Sequence, residues 1–533
     1  MSSEEKVYDP ESSPKHEFKD IAHDAYIVDA STTDPHMHRS LKGRHVSMIA
    51  IAGTIGTGLF LGSGKAIANG GPVGAVLGYL IVGCLVGFMM YSLGEMMVYD
   101  PSACGFIEFS ARYVDPALGF AMGWQYWFQT AMTAAVEIVA ASIVIEFWDA
   151  NSKHLAIYVT VMLVGIIIIN IAGVKYFGEF EFWFAFLKII TVLGLCIVCL
   201  VVDLGGAPDR DRRGFRYWRD SPFNNSFLNI TPPSKARFLG FWNVFTQAAF
   251  SYGGMEGLAS ICLEAENPQK TMRTATRAIF YRIVLLYIVS LWLAGMCIAP
   301  DNPNLLRANA EDSGTAAESP FVIVITTAGI KVLDHIINAV VLTSAFSAGN
   351  EALYASSRAL FMLAQEGKAP RFFAKVLRSG VPINALLFTA LFGCLAYLNC
   401  GAAGAGVAFN WLANITTLGS MLTWCGVALS HIRFSRGMRA QGVSRDILPF
   451  RSFLLPWGSY VVLISFIIII FFSGWTALKP WSPSDFFSVY VNIPFAFILF
   501  VGYKVIMKTK LVPLNEMDLS SHYVKNSVVR SKF

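Results

Sequence analysis

The sequence predicts an all-α polytopic membrane protein of twelve transmembrane helices, arranged as a 5+5 inverted repeat with two further helices at the C-terminal end. Three observations predict it. Of 533 residues, 55% are hydrophobic and 14% charged, whereas a soluble domain carries roughly 25% charged residues. The apolar residues gather into runs of about 20, the length that crosses the hydrocarbon core of a bilayer. The first and sixth runs are interrupted by glycine-rich stretches at mid-membrane depth, in corresponding positions of two successive five-helix sets.

In chain order the runs lie near 46–68, 73–98, 118–147, 155–175, 182–204 and 238–262, then near 275–299, 320–348, 384–404, 406–431, 455–474 and 488–508. They divide the chain into an N-terminal tail (1–45), a first repeat (46–204), an external loop (205–237), a second repeat (238–431), a final helix pair (455–508) and a C-terminal tail (511–533). The run at 320–348 passes into amphipathic sequence from Asn350 to Leu363, so its helix is expected to extend beyond the bilayer. Both tails are polar, charge-mixed and rich in Ser, a composition that does not bury a core and is expected to be disordered. The first 45 residues hold no apolar h-region of a cleavable signal peptide, so the first span is expected to serve as its own insertion signal.

Orientation follows from Lys and Arg, which favour the cytoplasmic side. The bias places both termini inside. The exception is the loop 205–237, with Arg210, Arg212, Arg213, Arg216, Arg219, Lys235 and Arg237. That loop also carries two sequons, Asn224-Asn225-Ser226 and Asn229-Ile230-Thr231, open to N-glycosylation at Asn224 and Asn229 if it faces outward. The nine cysteines fall mostly within apolar runs. Cys196 and Cys199 have no His partners nearby in sequence, so small packing residues are the reading, with no disulfide framework and no metal site.

The first break is Ala52-Gly53-Thr54-Ile55-Gly56-Thr57-Gly58, and the sixth-helix break is Ser251-Tyr252-Gly253-Gly254-Met255-Glu256-Gly257. Close helix packing alone would also favour glycine. Five being odd, however, the two sets run in opposite senses, and matched broken helices in inverted repeats point to a secondary transporter with its site at the midplane. Unwinding exposes amide N–H groups that favour a carboxylate and carbonyls that suit an ammonium. Together the breaks offer complementary poles for a zwitterion, the common part of every α-amino acid.

Further stretches carry a resemblance. They are Leu41-Lys42-Gly43-Arg44-His45, Gly53-Thr54-Ile55-Gly56-Thr57-Gly58-Leu59-Phe60, Ser92-Leu93-Gly94-Glu95-Met96, Glu264-Ala265-Glu266-Asn267-Pro268, Ser347-Ala348-Gly349-Asn350 and Ser357-Arg358-Ala359-Leu360. From about residue 38 to about 510 the sequence resembles a fungal amino-acid permease of the amino acid–polyamine–organocation superfamily, which implies a LeuT-like fold. Phe177-Gly178-Glu179-Phe180-Glu181-Phe182-Trp183 and Gly214-Phe215-Arg216-Tyr217-Trp218-Arg219-Asp220 most resemble the dicarboxylic amino-acid permease branch.

The resemblance implies that amides around Gly56, Thr57 and Gly58 hold the substrate carboxylate. Carbonyls near Thr54 and Ile55, and near Phe250 and Ser251, would receive its amino group beside Gly253. Phe250 and Tyr252 would form aromatic walls or gates, and Phe409, Trp411 and Asn414 part of the side-chain wall.

Charges inside spans are costly, at least about 2.5 kcal/mol at the bilayer centre, so each needs a partner or a function. Lys188 in the fifth helix is a candidate for proton coupling; Glu256 at the sixth-helix break is a candidate for the same role, for gating the pocket or for binding a ligand amine. The resemblance implies that Lys188 stands where sodium-coupled relatives hold their ion. Glu137, on one stripe with Gln129 and Thr133, reads as a helix tether. Asn350 matches the family pattern near the inner end of the eighth helix, and Glu351 follows where the family more often has a small residue. Lys331, Asp334 and His335 read as a wet cluster at the outer end.

No phosphate loop, HExxH, GxSxG or acidic calcium loop occurs, so the chain is expected not to be an enzyme and to need no cofactor beyond H⁺ as coupling ion. The basic residues lack the interleaved aromatics of nucleic-acid binding. The function expected is proton-coupled amino-acid symport by alternating access, for acidic or neutral substrates. The alternative is an amino-acid-sensing receptor (transceptor) of the same fold with little transport. Its setting would be a fungal plasma membrane, its partners the amino acid, the bilayer and trafficking or ubiquitination machinery acting on tails that carry Lys6, Lys15 and Lys19.

Overall fold

A computed structural model describes residues 41–519, except 54, 101–104, 150, 264, 311–318, 378, 402–404, 453 and 479. Among the described residues the regular structure is helical apart from two isolated β-bridges, Leu41 with Ala265 and Leu478 with Trp481, as expected where lipid cannot satisfy backbone N–H and C=O groups. The helices are α1 (Gly43–Met48), α2 (Ser63–Tyr99), α3 (Phe106–Tyr113), α4 (Pro116–Ile145), α5 (Leu155–Ala172), α6 (Val174–Asp203) and α7 (Arg216–Asp220). Next come α8 (Pro233–Tyr252), α9 (Leu258–Leu263), α10 (Pro268–Tyr281), α11 (Ser290–Cys297), α12 (Pro303–Ala310) and α13 (Pro320–Thr327). The last are α14 (Leu333–Gln365), α15 (Ile383–Gly393), α16 (Ala405–Ala440), α17 (Trp457–Phe472), α18 (Pro483–Tyr490) and α19 (Asn492–Met507). A π-helical stretch, Ile49–Gly53, continues α1, another, Gly58–Gly62, leads into α2, and a third, Arg282–Val289, joins α10 to α11.

Among the described residues nine helices are long and apolar enough to cross a membrane, or ten if α18 and α19, bent by 47°, make one span. The expected first and sixth runs are not separate members of that set; both are broken, the first being absorbed into the span Gly58–Tyr99. The first stops at Gly53 and resumes at Gly58, continuing through a turn at Gly71 (φ 74°) into the run expected at 73–98. The sixth stops at Tyr252 and restarts through a short 3₁₀ turn, Met255–Gly257, into α9.

The run expected at 320–348 is corrected. It is two helices, α13 and α14, separated at 328–332, where Gly329 and Val332 both adopt positive φ (71° and 74°). Its continuation through Asn350 is helical as expected, to Gln365.

The scaffold centres on α4, which packs most extensively on α14, α16 and α19, while α8 packs on α2. At the end expected to be cytoplasmic, called inner below, Glu95 of α2 is fully buried. It receives hydrogen bonds from Arg445 Nη2 (2.8 and 2.9 Å) and the Ser452 amide (2.8 Å) and pairs with His431 Nε2 (3.0 Å).

Two segments expected as tail are ordered. Residues 43–45 begin α1, whose Arg44 pairs with Glu179 (2.6 Å). Residues 511–519 lie along the inner face: the Val512 amide donates to Val114 O (2.9 Å), Tyr99 Oη to Leu519 O (2.6 Å), and Gln441 Nε2 to Met517 O (2.7 Å). The backbone of 511–519 finds partners on α2, α3 and α16, which a composition argument cannot see. The rest of both expected tails lies outside the described residues.

In the loop 205–237, Arg213, Arg216 and Arg219 pair with Asp209, Asp211 and Asp220 at 2.6, 2.8 and 2.9 Å. Asn229 is exposed. Asn224 is half-buried and its side-chain nitrogen, the atom a glycan would take, donates to Ala68 O at 2.7 Å.

Candidate functional site

The two breaks meet. A Cβ at Gly58 would lie 2.6 Å from Ser251 Cα, so only glycine permits the backbones to come this close. Ser251 Oγ donates to Gly58 O (2.7 Å) and exchanges a hydrogen bond with the Tyr79 hydroxyl (2.7 Å), stitching the sixth-helix break to the first. Gly254 (φ 83°) turns the chain between α8 and the 3₁₀ turn in the left-handed region that disfavours other residues.

Around this junction lies a cavity. The breaks contribute Gly56, Gly58, Phe250, Ser251 and Gly253, while α4 contributes Gln129, Thr133 and Glu137. On its other sides stand Ala348, Glu351 and Ala355 of α14 and Thr416, Thr417 and Ser420 of α16. Thr417 also lines a wider outer cavity of about 550 Å³, which includes Lys65, Asn410 and Asn414. Phe250 of the central cavity stands edge-on to Phe409, ring centroids 6.0 Å apart.

The unwound backbone of the first break is held by side chains from three helices. Glu137 of α4 receives the Thr57 amide at 3.3 and 3.4 Å, its carboxylate so close to Gly56 that a Cβ there would sit 2.2 Å from Oε1. Ser344 of α14 donates to Ile55 O (2.9 Å). Lys188 of α6, 1% exposed, donates its ammonium to Gly53 O (2.8 Å). A buried ion needs such partners, since desolvation alone would expel it.

The sequence-derived residues are therefore mostly brought together. Gly56, Gly58, Phe250, Ser251 and Gly253 line the cavity, and Ile55 and Thr57 sit directly behind it with their backbone groups engaged. Thr54 lies outside the described residues. Tyr252 is a correction: it is fully buried and points away, its hydroxyl donating to Tyr79 O (3.1 Å), because its position on α8 faces α2. Asn414 lies in the outer cavity, and Trp411 lines neither.

Glu256 leaves the break rather than facing the cavity. It receives Gln129 Nε2 (2.7 Å) and Trp424 Nε1 (2.9 Å), both neutral donors. Glu137, read from sequence as a tether, lines the cavity as well as holding Thr57. Asn350 is fully buried, donating to Glu181 Oε1 (2.7 Å) and receiving Asn170 Nδ2 (2.8 Å). His335 accepts from Trp148 Nε1 at 3.0 Å in an exposed setting, as a wet cluster would.

Sequence reasoning missed Glu181 and Arg282. Glu181 is fully buried and also receives Ser347 Oγ (2.6 Å). It precedes Lys188 by seven residues, two turns along the same helix face. Arg282 is 2% exposed and donates to Ala50 O (3.2 Å). The hydroxyl-bearing stripe Thr416, Thr417 and Ser420 was equally visible in sequence and went unused.

Several known proteins are similar to this chain. The family model described as amino acid permease matches residues 45–516. The dicarboxylic amino acid permease of Saccharomyces cerevisiae is 40% identical over 92% of this chain and 81% of its own length. The lysine-specific permease of the same yeast is 40% identical, covering 92% and 80%. The proline-specific permease of Emericella nidulans is 36% identical, covering 90% and 88%. Among solved structures, a crystal structure of MhsT in complex with L-phenylalanine superposes with a TM-score of 0.53 at 13% identity, over 83% of this chain and all of that one. That likeness shows a shared, LeuT-like fold.

Proposed function

Because the chain belongs to the amino acid permease family, a family of transporters rather than enzymes, we propose that it is a proton-coupled amino-acid symporter working by alternating access. In this reading twelve spans form a 5+5 inverted repeat plus two helices. The broken first and sixth spans rock against a scaffold built on α4 and α14. Both termini are cytoplasmic, and the membrane is the plasma membrane.

The observation that carries the proposal is the Lys188 bond to Gly53 O at 2.8 Å, which ties an ionisable side chain to the break beside the cavity. Protonated, Lys188 holds the inner half of the first span to α6. Having lost its proton, it is a weaker donor and releases that half, so occupancy by a proton and the position of the helix are linked. The substrate carboxylate would take the exposed amides at Gly56 to Gly58, displacing or sharing Glu137's hold on Thr57. Its amino group would lie among the break carbonyls and Glu137.

Among the described residues the charged groups lining the cavity are the carboxylates Glu137 and Glu351, with no Lys, Arg or His. That sign disfavours an acidic side chain, so the geometry supports neutral or cationic substrates over the acidic ones its relationship to the dicarboxylic permease suggests. Uptake of a labelled amino-acid panel in permease-deficient cells, with and without a protonophore, tests the reading. Saturable uptake that the protonophore collapses is expected; uptake insensitive to it contradicts proton coupling.

A further inference from the structure

Glu351 is 5% exposed and lines both the central cavity and a smaller one beside Ile49, Ala50 and Arg282. Its Oε2 is buried with no hydrogen-bond partner. It lies against the first break: a Cβ at Gly53 would be 2.9 Å from that oxygen.

The nearby carboxylates differ from it in having donors. Glu137 receives the Thr57 amide, and Glu181 receives Ser347 and Asn350. The nearby cations are engaged on backbone: Lys188 on Gly53 O, Arg282 on Ala50 O. Among the groups that act electrostatically on Lys188 are the carboxylates of Glu137, Glu181 and Glu351 and the guanidinium of Arg282. Counting Lys188 itself, three carboxylates face two cations. One carboxylate exceeds the cations, and in a low-dielectric interior it is neutralised either by a proton or by a cation brought into the cavity. Glu351 is the member with an acceptor oxygen still open, and it opens onto the substrate cavity.

We propose that Glu351 accepts the side-chain cation of the substrate, so that lysine, ornithine and arginine form the preferred class. This rests on the transport reading above and deepens it. The reach fits. Ala348 packs at the Gly56 backbone (3.0 Å from a Cβ placed there), and Glu351 follows three residues later, about 4.5 Å further along the helix axis. A ligand anchored by its carboxylate at the break covers that distance with a three- or four-carbon stem. A site built to receive a donor discriminates strongly against an analogue lacking it.

The test compares labelled L-lysine with labelled L-norleucine, which keeps the stem and lacks the ammonium, in permease-deficient cells expressing the full chain. Uptake of lysine at least about ten-fold more efficient than norleucine is expected. Glu351→Gln should shrink that ratio at least about ten-fold, with Glu351→Asp between the two. If Glu351→Gln does not reach the membrane, the unsubstituted protein decides: lysine no better than norleucine overturns the proposal. Uptake of norleucine or glutamate with lysine disfavoured overturns the subsite alone, whereas failure to take up any amino acid overturns the transport reading with it.

Discussion

The two broken helices solve the same problem with different chemistry. At the first break the freed backbone is held by side chains from outside it, two of them ionisable: Lys188 on Gly53 O and Glu137 on the Thr57 amide. At the sixth, the chain largely holds itself. The Gly253 amide returns to Phe250 O (3.1 Å) and the Gly257 amide to Gly254 O (3.0 Å), while Ser251 O receives the neutral Tyr287 hydroxyl (3.0 Å). Its single charge, Glu256, points out to neutral donors on α4 and α16. A hold made by an ionisable group changes strength with protonation, and one made by local turns does not. On the proposed reading the first break is the place for coupling, and the sixth is a shaped hinge.

Substitutions can break or sharpen this contrast. The largest effect is expected from Lys188→Ala, which should abolish uphill, pH-dependent accumulation; unchanged accumulation ends the argument for the first break. Glu137→Ala should lower uptake efficiency by roughly 10- to 100-fold. It removes a charged hydrogen-bond partner worth about 1.5–3 kcal/mol from both the break and the cavity, as initial-rate measurements would reveal. Gly254→Ala should lower stability by about 1–2 kcal/mol through the left-handed backbone alone, read as a drop in melting temperature in detergent; an unshifted Tm would mean the hinge tolerates a side chain. Glu256→Gln should be mildest, within about three-fold of the parent in uptake, since an amide can still accept from Trp424 or Gln129. A loss as deep as that of Lys188→Ala would erase the distinction between the breaks.

Much of this was legible in the sequence, for definable reasons. Span positions follow from apolar length, and both breaks from glycine density, since each is a local property of the chain. The split of 320–348 into α13 and α14 was not legible, because Val332 adopts a positive φ that nothing in its type announces. Tyr252 was placed on the wrong side because its neighbourhood to the break was clear and its helix rotation was not. Glu181 sits among aromatic residues that signalled kinship, and its spacing to Lys188 was passed over. The order at 511–519 depends on partners on three distant helices. For Tyr252 and for residues 511–519 the deciding contact is tertiary.

The central claim is that the ionisable hold on the first break, not the carboxylate of the sixth, couples transport to protons. It is tested most directly in proteoliposomes with an imposed pH gradient, by following proton entry together with labelled amino acid for Lys188→Ala and Glu256→Gln side by side. The structure predicts that Lys188→Ala loses proton-driven accumulation while still exchanging substrate across the membrane, and that Glu256→Gln keeps both. Proton-coupled accumulation that survives in Lys188→Ala and vanishes in Glu256→Gln would contradict it.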